Sequence, residues 1–270
     1  MKGLKIKSLV LCMGLVPLHS FAEIQPLNES EMGSVTGQAG VTIELETKVN
    51  IDQFRYIDEG TLAISDIEIG GTNRTDLFAE MGTNLTGTTP SDLLDNIRIN
   101  IDVKSDGDAI INVLPQQFGA VDFRISTGAW ELKGANDSTT ILDNFQMDAL
   151  AGSATIRVDT ATDKLNFKTD IAIDDMDFDA PFLAVGVRDL RLTGADYDLD
   201  APTPLRVFSY VEFDIYKSTR HDGGDALAID LQEFNSDITI GGVLIGGTSI
   251  GAIALDNLSI QNTAMRVYGH

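Results

Sequence analysis

The chain has 270 residues, with 19 Lys and Arg against 41 Asp and Glu, a formal charge of −22. A surface so acidic repels the phosphates of nucleic acids and anionic lipid headgroups, since binding to either depends on neutralisation by Lys and Arg. Nucleic acid is therefore excluded as a partner. A single Cys excludes an internal disulfide, and three His leave little for zinc built on His and Cys.

At the N-terminus Lys2, Lys5 and Lys7 precede the apolar run Ser8 to Leu18, and Ser20-Phe21-Ala22 places small residues where a signal peptidase reads. This is the pattern of a secretory signal peptide over residues 1–22. Its apolar stretch falls short of the roughly 20 residues that a spanning helix needs. Met13 follows Cys12 where a lipoprotein box would carry a small residue, which argues against a lipid anchor. Cleavage after Ala22 leaves 248 residues with a formal charge of −25 and removes the Cys. The expected location is the periplasm, outer membrane or cell surface of a Gram-negative bacterium.

Residues 23–40 follow as a distinct N-terminal stretch, in which Asn28 and Glu31 are spaced as a capping box for a short helix ending near Val35. From residue 41 to 270 one mainly β domain is expected, because apolar and polar residues alternate. Val41, Ile43 and Leu45 share a face, as do Ile97, Ile99, Ile101 and Val103, and later Leu165 and Phe167. Turn clusters at Asp58-Glu59-Gly60, Ser105 to Asp108, Gly134 to Ser138, Ala161-Thr162-Asp163 and Asp222 to Asp225 suit antiparallel hairpins. Thr75 to Met81, stopped by Gly82, offers one further short helix. The expected fold is antiparallel, an extended and curved sheet or a sandwich, with bulges and little helix.

One pattern recurs: apolar, any residue, Asp or Asn, apolar, any residue, apolar. It occupies Ile64 to Ile69, Leu94 to Ile99, Leu142 to Met147, Ile173 to Phe178, Val187 to Leu192 and Leu255 to Ile260. The apolar spacing of three and then two breaks strict alternation, and a one-residue slip turns the core face outward unless the strand bulges or bends. Bulges or corners are therefore expected at Asp66, Asn96, Asn144, Asp175, Asp189 and Asn257, residue types that tolerate the left-handed region. A second echo, Met176 to Pro181 and Tyr197 to Pro202, suggests two strand ends closed by proline.

Candidate chemistry is sparse. Gly247-Thr248-Ser249-Ile250-Gly251 fits the elbow of a serine hydrolase, but Ala252 to Ile260 reads as strand where the elbow needs a helix. His221 beside the Asp222 to Asp225 turn reads as a solvated hairpin residue. Asp196, Asp198 and Asp200 resemble the start of a calcium loop, although Ala201 and Val207 stand where an EF-hand carries Gly and Glu. Asp174, Asp175, Asp177 and Asp179 offer a second acidic cluster. Ile238 to Leu255 is uncharged and holds two G-x-x-x-G spacings, yet its glycines and β-branched residues favour a pair of strands over a membrane helix.

The stretch Leu27-Asn28-Glu29-Ser30-Glu31-Met32-Gly33-Ser34-Val35-Thr36-Gly37-Gln38-Ala39-Gly40-Val41-Thr42-Ile43 resembles the N-terminal signature of the FilA-like pilus system protein family of Gram-negative envelopes. The resemblance implies an envelope or surface location and an attachment-related role, without any established active site. Taken together, the expectation is a non-enzymatic structural or interaction protein that needs no cofactor, whose partners are other envelope or surface proteins, pilus components among them. An alternative is a β protein that binds lipid or another hydrophobic ligand, lined by residues 238–255 and by Phe182 to Val187.

Overall fold

The computed structural model describes residues 40–79, 90–117, 119–195, 197 and 206–269. All of them lie in the second of two compact units, Gly37–His270. The signal peptide, the 23–39 stretch with its capping box, the Asp198 to Pro202 echo, and Asp196, Asp198 and Asp200 fall outside the described residues.

The described chain is mainly β: thirteen strands in a single sheet in which every pairing is antiparallel. Strands β1 (Val41–Thr47) and β2 (Val49–Ile57) follow one another, then β3 (Thr61–Gly70) and β4 (Leu94–Val103). Next come β5 (Ala109–Pro115), β6 (Val121–Thr127) and β7 (Trp130–Lys133), then the long β8 (Ser138–Asp159) and β9 (Lys164–Ala180). Strands β10 (Val185–Thr193), β11 (Ser209–Thr219), β12 (Asp225–Ile245) and β13 (Thr248–Val267) complete the order.

The pairings resolve these strands into an up-and-down meander of eight legs. Strands β1 and β2 form leg 1, β3 and β4 leg 2, and β5, β6 and β7 leg 3. β8 is leg 4 and β9 is leg 5. Leg 6 is β10 followed by β11, leg 7 is β12, and leg 8 is β13. Each leg pairs with the legs before and after it in sequence, the connectivity that short hairpin turns impose. The five turn clusters of the sequence join legs 1–2, 2–3, 3–4, 4–5 and 6–7. Legs 5–6 turn at a 3-10 segment, Pro181–Leu183, and legs 7–8 at Gly246-Gly247.

The recurring pattern marks kinks. Asp66, Asn96, Asn144, Asp189 and Asn257 all have left-handed backbones, with φ of 49°, 58°, 52°, 52° and 55°. All five lie on even-numbered legs. Asp175, on leg 5, has no positive φ; its copy instead sits at a bulge, where Asp148 pairs with Asp175 and Ala149 with Ile173, leaving Asp174 as the extra residue. A left-handed residue within a strand turns its N–H away from the regular ladder, so that donor needs another acceptor. Side chains supply it: Asp177 Oδ1 accepts the Asp189 N–H at 2.8 Å, and Asp237 Oδ1 accepts the Asn257 N–H at 2.5 Å.

The legs also repeat in fours. Ile64-Ser-Asp-Ile-Glu-Ile-Gly-Gly71 on leg 2 matches Val187-Arg-Asp-Leu-Arg-Leu-Thr-Gly194 on leg 6, and after each the chain leaves the sheet and re-enters the same leg higher up. Gly71 donates its N–H to Asp92 O and Gly194 donates to Val207 O, both at 3.1 Å, so each departing chain runs against the returning one. Leu142-Asp-Asn-Phe-Gln-Met147 on leg 4 likewise matches Leu255-Asp-Asn-Leu-Ser-Ile260 on leg 8.

The two excursions make the core. Leu77 and Phe78 from the first, and Tyr197 and Val207 from the second, cluster with Ala120, Leu150 and Ala172 at the waist of the sheet, with Phe208 packed against them. Each fully buried large apolar side chain there is worth about 1.5–3 kcal/mol. Of the Thr75 to Met81 helix, residues 75–78 are not helical, Ala79 is in a 3-10 conformation, and residues 80 and 81 lie outside the described residues. Residues 75–79 make a turn closed by the Ala79 N–H on Asp76 O, and Phe78 has φ of 55°, which no helix accommodates. That conformation is what drives the Phe78 ring down onto the sheet.

Candidate functional site

At the waist the core is ringed by charge. Asp148, fully buried, accepts Arg124 Nε and Nη2, each at 2.6 Å, and Arg74 Nη1 at 2.7 Å. Arg74 reaches on to Asp174 at 3.2 Å and to Asp76 at 2.8 Å. Asp174 also accepts the Phe78 N–H at 3.0 Å, and the Arg191 guanidinium lies over the Phe78 ring. Thr72 donates both its N–H and its hydroxyl to Asp122, at 3.0 and 2.7 Å. Burial works against the charge on Arg74, but its hydrogen bonds to Asp76 and Asp148 and the Asp174 charge outweigh that and raise its pKa. Guanidiniums locked in this way do no acid–base work. The arrangement is a latch that fastens the 71–79 excursion to legs 3, 4 and 5.

A second acidic group lies beside it. Asp175 and Asp177 on β9 and Asp189 on β10 bring carboxylate oxygens within 4.8 Å of one another. Burial first, then the charges of Asp177, Asp189 and Asp148, push the Asp175 carboxyl above its ordinary range. Asp175 Oδ1 is buried and has no hydrogen-bond partner among the described residues. Three carboxylates suit a hard cation, but calcium takes six to eight oxygen ligands, so this group alone is a partial shell. Of the acids that the sequence set together on β9, Asp174 is committed to the latch. The hydrogen bond from Asn144 at 3.0 Å, then that from Arg188 at 2.7 Å, hold Asp179 and lower its pKa. Asp189 enters the group only through the leg 5–leg 6 pairing; its kink is legible in sequence, whereas its proximity to Asp175 is not.

Ser249 stands at the exposed start of β13, paired with Leu244, and strand continues from it to Val267 where a hydrolase elbow would begin its helix. His221 sits in the exposed turn between legs 6 and 7. Ile238 to Leu255 forms the end of β12 and the start of β13, and no helix among the described residues is long and apolar enough to cross a membrane. Phe182 and Leu183 lie in the exposed turn between legs 5 and 6.

Above the waist the sheet is strongly two-sided. Directly paired residues share a face, and one such row runs Ile101, Ile111, Ile156, Phe167, Phe213, Leu231 across legs 2 to 7. The next row on that face is Val103, Ala109, Val158, Leu165, Ile215, Ile229 and Met265. None of these is buried. The opposite face carries Arg157 with Asp108 at 2.7 Å, Lys168 with Glu212 at 3.3 Å, and Arg266 with Asp230 at 2.5 Å. Arg266 and the Tyr216 hydroxyl together lower the Asp230 pKa. Hydrogen bonds from the Thr160 backbone and from Arg157 do the same for Asp108.

Residues 1–105 match a family described as a family of unknown function, DUF6160, a description that assigns no activity or partner. No curated protein and no solved structure matches the chain.

Proposed function

We propose that this chain is an exported, non-enzymatic protein of the Gram-negative cell envelope that works as a structural or interaction module, in association with a pilus or adhesion system. The observation that carries the reading is the open meander: its first and last legs each have an unpaired side among the described residues, and both present exposed apolar side chains. Edges of this kind are templates for strand addition. The Lys-rich, apolar leader and the Leu27 to Ile43 signature support an envelope location. Fractionation of the native host, followed by protease shaving of intact cells, tests it. Recovery of the leaderless chain in the envelope fraction supports the reading; recovery of the uncleaved chain in the cytosol removes it.

A second reading, binding of lipid or another hydrophobic ligand, is favoured by the apolar rows above the waist, since contiguous apolar surface of this extent marks an interaction site. Native mass spectrometry on protein taken from the envelope without detergent exchange tests it. Co-purifying lipid that is lost on replacing Phe167 and Phe213 by Ser supports this reading, and a clean spectrum counts against it.

A further inference from the structure

We infer that the partner of the open edges is a second copy of this chain, with leg 8 of one molecule pairing antiparallel to leg 1 of the next in an open, head-to-tail sheet. This deepens the interaction reading above and rests on it. Four observations point to a copy of the chain over any other strand. First, an antiparallel meander with an even number of legs has first and last legs running in opposite directions. A copy placed alongside in the same orientation therefore continues the antiparallel alternation with no change of hand or direction.

Second, the chain already contains one half of this junction. Leg 4 shares the Leu-Asp-Asn kink of leg 8, with Asn144 and Asn257 both left-handed. The kink does not block pairing, because leg 4 pairs with leg 5 on both sides of it, at Asp143 with Asp179 and Gln146 with Asp177. Third, the lengths agree. Legs 4 and 8 have 22 and 20 residues, leg 5 has 17, and leg 1 runs from Val41 to Ile57 through strands of 7 and 9 residues joined at Lys48.

Fourth, the edges match in character. Ile250, Ile253 and Leu255 are exposed at the lower end of leg 8, and Phe54, Tyr56 and Ile57 at the lower end of leg 1. Leg 8 carries only Asp256 and Arg266 as charges over its 20 residues. A shared length near 55 Å and a sheet about 10 Å thick give roughly 1,100 Å² of buried surface in total. That clears the ~1,000 Å² expected of a specific interface. Because the contact is heterologous and does not close, its product is a linear assembly. The net charge of the mature chain opposes it, so salt should promote it.

The test uses the purified mature chain and two edge variants, Ile253→Lys on leg 8 and Phe54→Lys on leg 1, with light scattering and negative-stain microscopy across protein and salt concentration. Both positions are exposed, and circular dichroism checks that the variants keep the sheet. The expected result is wild-type assembly that grows with salt, and for each variant alone a rise of about tenfold or more in the concentration at which assembly begins. A one-to-one mixture of the variants is expected to stop at dimers, since each retains the edge that the other lacks. Wild-type protein that stays monomeric throughout overturns the inference. So does the leg 1 variant dimerising alone, which would mean leg 8 pairing with leg 8. Assembly only after deletion of residues 23–39 also overturns it, and assigns the edge to that segment. Cell fractionation reads the compartment separately, so failure of the envelope assignment and failure of self-assembly are distinguishable.

Discussion

Asp174, the extra residue of the leg 5 bulge, accepts the backbone N–H of Phe78 at 3.0 Å across 96 positions of sequence. The bulge is what aims this carboxylate off the regular pleat and onto the excursion. Its side chain also bridges Arg74, which Asp148 and Asp76 hold as well, and Arg191. Asp174→Ala is therefore expected to cost about 1–3 kcal/mol, the scale for stranding the buried Phe78 N–H. Denaturant unfolding measures the loss. Limited proteolysis should show new cleavage between residues 71 and 79 before global unfolding, and cleavage confined to the hairpin turns would contradict the latch.

The left-handed kinks separate into two kinds. Asn257 is exposed and it is its backbone N–H that donates to Asp237, so Asn257→Gly should change stability by less than about 0.5 kcal/mol. Asn257→Val should cost about 1–2 kcal/mol, since a β-branched residue resists positive φ. Asn96 is buried, and its side chain accepts the Gln117 N–H at 2.9 Å and donates to Ala120 O at 3.3 Å. Asn96→Gly should lose about 1–3 kcal/mol by stranding those groups. Equal effects of Gly at both sites would show that backbone angle alone selects these residues.

The contrast between the two excursions and the hairpins gives a third expectation. A Cβ on Gly71 would run into the carbonyl oxygens of Ser91 and Leu93, and one on Gly194 into that of Phe208. These are backbone atoms that cannot swing aside. Gly71→Ala and Gly194→Ala should each destabilise by about 1–3 kcal/mol through overpacking. Gly134, in the turn between legs 3 and 4, has only Asp137 O at 3.5 Å and no positive φ. Gly134→Ala should stabilise by about 0.4–1 kcal/mol by narrowing the unfolded ensemble. Thermal melts of the three variants decide the matter.

The meander was legible in sequence because its signals are local. Asp58-Glu59-Gly60 and Asp222-Gly223-Gly224-Asp225 announce their turns through residue type alone, and Asp66 or Asn257 betray a kink through the phase slip of their neighbours. The turn at Pro181–Leu183 was visible only as a strand end, since Phe182 and Leu183 look like core residues and are exposed. The latch was not legible at all. Arg74, Arg124, Asp148 and Asp174 come from four separated segments, and nothing short-range distinguishes them from the other charges of an acidic chain. Phe78 misled for a related reason: Thr75 to Met81 has helical spacing, but the pull of Asp174 on its N–H and the burial of its ring override local propensity. The acidic group at Asp175 was half legible, with Asp177 two residues away and Asp189 reachable only through pairing.

That acidic group makes a pH-dependent prediction whose sign is fixed by the raised Asp175 pKa. The folded chain holds a proton on Asp175 at pH values where the unfolded chain has already released it. Stability therefore falls as pH rises from the ordinary Asp range through the raised value, and repulsion among Asp175, Asp177 and Asp189 is fully present above it. Asp175→Asn should remove this slope and, at neutral pH, stabilise the protein by up to about 1 kcal/mol, the scale of like charges on adjacent strands. Urea titrations of wild type and variant across the acidic range give the measurement. A calcium series at neutral pH then separates repulsion from ion binding. Repulsion alone predicts that added calcium narrows the gap between the two proteins no more than an equal ionic strength of sodium chloride does, whereas a cation held by the three carboxylates stabilises the wild type alone.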